Sequence, residues 1–204
     1  MSEAAAPGPA EDDPTPKFFA VGVAASAGGV QALTTLASAL PADLPATLLL
    51  AYHQGVAHPS HLVEILRRRC RLTVRNAVDG EKMEPGSVLM ADSECHLVVS
   101  PGWHLSTPRE EPVQFVRPSA NRLFSSLAAI CGPRAIAVVL SGMGTDGAEG
   151  VRAIKAAGGT VIVQEIDSAR FPSMPAAAIQ TGLADLTLPV DEMPAALERL
   201  TRRP

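Results

Sequence analysis

The sequence predicts an α/β fold: a doubly wound, mainly parallel sheet with helices on both faces and a short hairpin-rich edge region. Two observations carry this. From Phe18 onward, short β-branched or Leu-rich runs alternate with Ala-rich stretches of helical apolar spacing, the pattern of a parallel sheet covered on both faces. The 204 residues, 47% of them hydrophobic, also supply enough apolar material for one sizeable core. Residues 17–204 are therefore expected to form one domain. Residues 1–16 are Ala, Pro and acid without aliphatic periodicity. Such a composition buries too little surface to offset the entropy of ordering, so a disordered acidic tail is expected there.

Phe18 to Val23 reads as the first strand, followed by a small-residue turn and a helix from about Val30 to Ala39, with Leu33, Leu36 and Leu40 at helical spacing. Thr47 to Tyr52 is the second strand. A helix from about Ser60 to Arg69 begins near Pro59 and ends in a basic turn, Arg67 to Arg69, which suits the helix dipole without any ligand. From Leu72 to Val116 the turn signals Asp79-Gly80, Pro85-Gly86 and Pro101-Gly102 separate several short strands, and hairpins are expected. A helix from about Asn121 to Ile130 precedes the strand Ala135 to Leu140. Next come a glycine-rich turn, a helix from about Gly147 to Ala157 and a strand from Thr160 to Gln164. A short helix after Pro175, a strand near Leu186 and a helix from about Glu192 to Arg202, with Asp191 as its cap, complete the chain.

Composition removes several functional classes. The net charge of −4 resides in Glu3, Glu11, Asp12 and Asp13, leaving a neutral body. Nucleic acid and anionic membrane surfaces both require clustered basic charge, so neither is an expected partner. The longest apolar runs, around Ala46 to Tyr52 and Ala135 to Leu140, fall far short of the roughly 20 residues that span a bilayer. No secretory signal is readable. The three cysteines, Cys70, Cys95 and Cys131, are scattered and without metal-type spacing, as expected of reduced, structural thiols in a cytoplasmic protein.

In doubly wound sheets, ligand sites form beyond the carboxyl ends of the strands, and three turns there carry candidate chemistry. The first, Val23-Ala24-Ala25-Ser26-Ala27-Gly28-Gly29, sets Ser26 at a tight strand-to-helix junction. Ser26 is either a nucleophile exposed at the top of the sheet or an N-cap of the following helix. The second, Tyr52-His53-Gln54-Gly55, puts an imidazole at the end of the neighbouring strand. His53 reads as a general base for the serine, or as a polar loop residue. The third, Leu140-Ser141-Gly142-Met143-Gly144-Thr145-Asp146-Gly147, brings a carboxylate to a helix start. Asp146 either orients an imidazole or caps the next helix.

Two other readings compete. Gly142, Gly144 and Gly147 spell G-x-G-x-x-G between a strand and a helix, with Glu165 about 20 residues on, which is a dinucleotide-binding pattern. It stands in the last third of the chain, with few residues left for a second nucleotide half. His53, His58 and His61 form a loose histidine group, but without H-E-x-x-H spacing and with only Glu64 nearby; no metal is expected.

The serine turn, the histidine after the second strand and the late Gly-Met-Gly-Thr-Asp-Gly turn together resemble the catalytic domain of the chemotaxis protein-glutamate methylesterases. The resemblance spans about residues 18 to 200 and includes Arg117-Pro118-Ser119, the turn leading into His96, and Phe171-Pro172-Ser173-Met174-Pro175. It implies a cofactor-free serine hydrolase that demethylates glutamate γ-methyl esters on chemoreceptors, with deamidation of receptor glutamines as a further activity. By the motifs, Ser26 is the nucleophile, His53 the general base and acid, and Asp146 the residue that orients the imidazolium. The backbone amides of Ala27 and Met143 are the candidate oxyanion donors. The order Ser, His, Asp differs from that of the α/β-hydrolases.

Ala24 stands where that family usually has glycine, Ala27 where it often has threonine, and Gln54-Gly55 where an apolar residue and proline typically follow the histidine. These departures bear on the shape of the substrate site. Family members commonly carry an N-terminal receiver domain, whereas only the acidic tail precedes the first strand in this sequence. An uncovered catalytic domain is therefore expected, either always active or controlled by a separate receiver protein. A non-catalytic scaffold that kept the fold is the alternative from a different class.

Overall fold

The computed structural model describes residues 16–53 and 61–203. All but one residue of the acidic tail expected over 1–16, together with Gln54-Gly55, His58 and the Pro59-Ser60 start expected for the second helix, lies outside the described residues.

β1 (Phe19–Ala25), α1 (Gly29–Ser38), β2 (Ala46–Tyr52), α2 (Leu62–Arg67), β3 (Thr73–Asn76) and β4 (Ser87–Met90) build the first half. The short strands β5 (Val98–Ser100) and β6 (His104–Ser106) lead to α3 (Ala120–Cys131), β7 (Ala135–Val139) and α4 (Ala148–Ala156). β8 (Thr160–Gln164), α5 (Ser173–Gln180), β9 (Leu186–Leu188) and α6 (Met193–Thr201) follow. The main sheet has seven strands in the order β3-β4-β2-β1-β7-β8-β9, and every adjacent pair is parallel. This is the α/β architecture the alternation of strand and helix segments predicts.

Because side chains alternate across a strand, the sheet divides the core in two. Val21, Val23, Leu48, Leu50, Val88 and Val138 pack with α1, α2 and α6. Ala20, Ala24, Leu49, Ala137 and Val139 pack with α3, α4 and α5. On the second face β1 presents small residues only, so α3 lies close: a Cβ at Gly22 would sit 2.6 Å from Leu127 Cδ1 and 2.9 Å from Phe124.

The stretch from Leu72 to Val116 contains fewer hairpins than its turn signals suggest. β5 and β6 pair antiparallel, and Val113 and Val116 bridge across a two-residue turn. β3 and β4, however, join the main sheet in parallel, with β4 seated between β2 and β3. All four residues of β4 are buried, and a strand buried on both faces is satisfied by a parallel neighbour on each edge. At the carboxyl terminus Asp191 does not cap α6. Glu192 occupies the cap position and makes no side-chain cap bond, so Asp191 stands one residue too early to reach the first free amides. α5 starts at Ser173 rather than after Pro175, since a proline in the first turn removes only an amide that has no helical partner.

Candidate active site

The sheet changes winding direction between β1 and β7: the chain goes from β1 through α1 to β2 on one side, and from β7 through α4 to β8 on the other. The crevice at the carboxyl ends of these strands is where such folds bind ligands. All three turns singled out in the sequence converge there. Ala25 pairs with Tyr52, so Ser26 and His53 leave adjacent strands at the same level. Backbone bonds extend that register, with His53 N donating to Ala25 O at 3.0 Å and Ser26 N to Ser141 O at 3.1 Å.

Ser26 is not an N-cap. The cap of α1 is Gly28, which at φ 73 adopts the left-handed conformation glycine tolerates and makes no side-chain cap bond. Ser26 serves the turn through its backbone, its carbonyl accepting from Gly29 N at 2.8 Å. Its half-buried side chain lies against Gly142: a Cβ on that glycine would be 3.0 Å from Ser26 Cβ and 2.2 Å from Met174 Sδ. Glycine at 142 is what lets the two turns meet. Buried Ser141 stitches them together, its Oγ donating to Ala27 O at 2.9 Å and accepting from Phe171 N at 3.0 Å.

His53 meets Asp146 directly, Nε2 lying 2.8 Å from Oδ2. Asp146 is buried and His53 partly so, their side chains being 4% and 9% exposed. Nε2 therefore donates to the carboxylate, leaving Nδ1 as the acceptor nitrogen of the ring. Asp146 is not the cap of α4, whose cap position is Gly147. Its carboxylate instead lies against the start of α3. Oδ2 accepts from Ala120 N at 2.6 Å, and Oδ1 accepts from Ser119 Oγ and Asn121 N, each at 3.0 Å. Burial pushes the carboxyl up, but the hydrogen bonds from His53, Ala120 and Asn121 outweigh it and hold Asp146 below its ordinary value. The group is a fully ligated carboxylate at a helix N-terminus, where the dipole favours negative charge.

The glycine pattern of the third turn has a place in this arrangement. The amides of the cap residue Gly147 and of Gly150 in the first turn of α4 both donate to Asn121 Oδ1 at 2.9 Å, and Glu165 is exposed beyond β8. Among the described residues no group of histidine, cysteine and carboxylate side chains has metal-site geometry. Cys95 and Cys131 are buried free thiols and Cys70 is half-buried.

A cleft of about 190 Å³ opens beside His53, lined by Ser93, Glu94, Pro112, Phe115, Val116 and Arg117. A larger hollow of about 580 Å³ lies at the ends of β3 and β4; it shares Ser93 and Glu94 with the cleft but contains none of Ser26, His53 and Asp146. The turn amides of Ala27 and Met143 donate to no described group, whereas those of Gly142 and Gly144 are bound to Phe171 O and Ser173 Oγ. Ser119 and Asn121 belong to the site through their bonds to Asp146, although no motif marks either as a site residue. The available signal was the Pro118-Ser119 pair just before a helix, which marks a cap.

The class defined by this fold and site is a doubly wound α/β protein whose switch point carries a serine turn at the end of one strand and, from the end of the next, a histidine paired with an aspartate. The CheB methylesterase family profile matches residues 21–197, and the chain belongs to that family. It is 41% identical to a protein-glutamate methylesterase/protein-glutamine glutaminase of Anaeromyxobacter dehalogenans over 99% of this chain and 59% of that protein. A Rhizobium meliloti protein of the same description is 37% identical over 89% of this chain and 51% of its own length. The chain thus spans between half and three fifths of these two relatives. The crystal structure of the Thermotoga maritima CheB methylesterase catalytic domain superposes with a TM-score of 0.86 at 30% identity, covering 90% of this chain and 99% of that one.

Proposed function

We propose that this chain is the catalytic part of a serine-type protein-glutamate methylesterase, hydrolysing glutamate γ-methyl esters on chemoreceptors to glutamate and methanol in chemotaxis-type signalling. The observation that carries the reading is the 2.8 Å His53 Nε2 to Asp146 Oδ2 contact, made one strand away from a serine that caps nothing.

In this scheme His53 is held in one tautomer. Nε2–H is committed to Asp146, so Nδ1 takes the proton from Ser26 Oγ as the oxygen attacks the ester carbonyl. The serine template usually has the two ring nitrogens in the opposite roles; here Asp146 approaches from the Nε2 side. The unengaged amides of Ala27 and Met143 are the donors for the tetrahedral oxyanion, a contribution of about 3 kcal/mol per donor in enzymes where one has been removed. The imidazolium, stabilised by ionised Asp146, returns its proton to the departing methoxide, and methanol leaves. Water, deprotonated by the same Nδ1, then opens the glutamyl-serine ester and regenerates Ser26. With a receptor glutamine the same steps release ammonia, which is the deamidase activity included in the proposal.

The proposed partners are a methylated chemoreceptor as substrate and, from the family resemblance, a receiver protein as regulator. The proposed location is the cytoplasm, in keeping with three unpaired cysteines and with the fact that no described helix is long and apolar enough to cross a membrane. The test is methanol release from methyl-esterified receptor membranes. Ser26→Ala and His53→Ala are expected to abolish release while both still melt cooperatively, Ser26→Ala at the wild-type temperature and His53→Ala lower because Asp146 loses a donor. Wild-type release by Ser26→Ala would refute the esterase reading, and wild-type protein inactive on every methylated receptor would favour the scaffold.

A further inference from the structure

His96 is a fully buried histidine that the mechanism above does not use. It lies between β4 and β5, its own amide bound to Pro108 O at 3.0 Å. The ring bridges two backbone groups of opposite kind: Ser119 N donates to Nδ1 at 3.1 Å, and Nε2 is 3.1 Å from Glu111 O. Because one neighbour only donates and the other only accepts, the imidazole is neutral, with its proton on Nε2. Burial pushes its pKa down, and the positive charges of Arg122 and Arg117 act in the same direction against the opposing Glu111 carbonyl and Glu110.

Ser119, the residue His96 holds, is the N-cap of α3, accepting from Arg122 N through Oγ at 3.4 Å. The same Oγ donates to Asp146 Oδ1, and the next two amides, Ala120 N and Asn121 N, bind the same carboxylate. Among the described residues, the hydrogen-bond donors to Asp146 other than His53 therefore all come from residues 119–121. We infer that His96 is a positioning residue for this site: by accepting from Ser119 N it fixes the first turn of α3, and through that turn the direction in which Asp146 presents Oδ2 to His53. The inference rests on the esterase reading. Its physical basis is that small displacements of catalytic geometry cost rate out of proportion to stability.

The two ring nitrogens can be replaced separately. An asparagine at 96 sets an amide oxygen where Nδ1 was and can still accept from Ser119 N, whereas a glutamine reaches only toward the Nε2 position and Glu111. His96→Gln is expected to lower kcat for methanol release from methyl-esterified receptor membranes by about 10- to 100-fold with KM within about twofold. His96→Asn should recover most of that loss. Ser119→Ala, which keeps the amide and removes only Oγ, should lower kcat by about tenfold, and adding it to His96→Gln should cost less than the two single effects combined, since both act through Asp146.

Each kcat is referred to the fraction of folded enzyme measured by near-UV circular dichroism. Equal losses in the Asn and Gln variants, or wild-type kcat in both at a lower melting temperature, would overturn the positioning role. Should His96→Gln not fold, Ser119→Ala decides alone: an unchanged kcat rejects the inference. Activity that survives Ser26→Ala would instead refute the esterase reading itself, so the two failures are distinct.

Discussion

Asn121, in the first turn of α3, closes the start of α4: its Oδ1 accepts from both Gly147 N and Gly150 N at 2.9 Å, while its own amide donates to Asp146 at 3.0 Å. One residue thus ties together the two helix N-termini that flank the carboxylate. Replacing a capping side chain by alanine costs about 1–2 kcal/mol. Asn121→Ala is expected to lose about that much in chemical denaturation and to lower esterase kcat as well, because the freed turn contains Asp146.

Asp146→Asn keeps the shape of the side chain and removes the charge that stabilises the imidazolium. A fall in kcat of about 10³- to 10⁴-fold is expected, by analogy with the loss of the equivalent charge in serine proteases. Acid stability changes too. The folded-state pKa of Asp146 lies below its ordinary value of 3.8, so its contribution is complete above the unfolded pKa and is lost as pH falls through the folded one. Below about pH 4 the stability gap between wild type and Asp146→Asn should narrow, as read from urea midpoints across the acid range. A gap that stays constant there would contradict the depressed pKa.

Gly142 has no room for a methyl group. A Cβ there would lie 2.2 Å from Met174 Sδ and 3.0 Å from Ser26 Cβ. Gly142→Ala should cost about 1–3 kcal/mol from overpacking and displace Ser26, with esterase activity falling more steeply than stability. Shortening the neighbour in Gly142→Ala/Met174→Ala should restore part of the activity, whereas no interaction between the two substitutions would contradict the packing account.

Phe115 is fully exposed at the tip of the Val113–Val116 turn, with φ of 50 at Gln114 and 67 at Phe115. Both are in the left-handed region that glycine adopts without steric cost. Phe115→Gly gives up no core packing and relieves backbone strain, so it should raise stability by about 0.5–1 kcal/mol, seen as a higher melting temperature. A decrease would mean that the ring makes contacts its exposure does not reveal.

Much of the fold was legible because its signals are local. Apolar runs such as Ala46 to Tyr52 and Ala135 to Leu140 are short and bounded by turn residues, which favours strands buried on both faces, and the Ala- and Leu-rich segments between them have helical period. The two-sided burial of β4 was not legible. Asp79-Gly80 and Pro85-Gly86 mark chain reversals, but a reversal does not specify which strand edge will accept the returning chain; the free edge of β2, distant in sequence, did. In the same way, Ser26, His53 and Asp146 were readable as residues just past strand ends, whereas His96, Ser119 and Asn121 carried only helix-start or fold-neutral signals.

Residue types and their order therefore determined the architecture, the neutral surface and the three side chains at the switch point. Their working relations were settled by packing between distant segments. Asp146 precedes α4 in the chain and reads as its cap, yet its carboxylate is bound by the amides of α3, more than 20 residues upstream. Hydrogen-bond donors at a helix start attract whatever anion the fold brings near, and only the docking of α3 against β1 and α4 decided which carboxylate that would be.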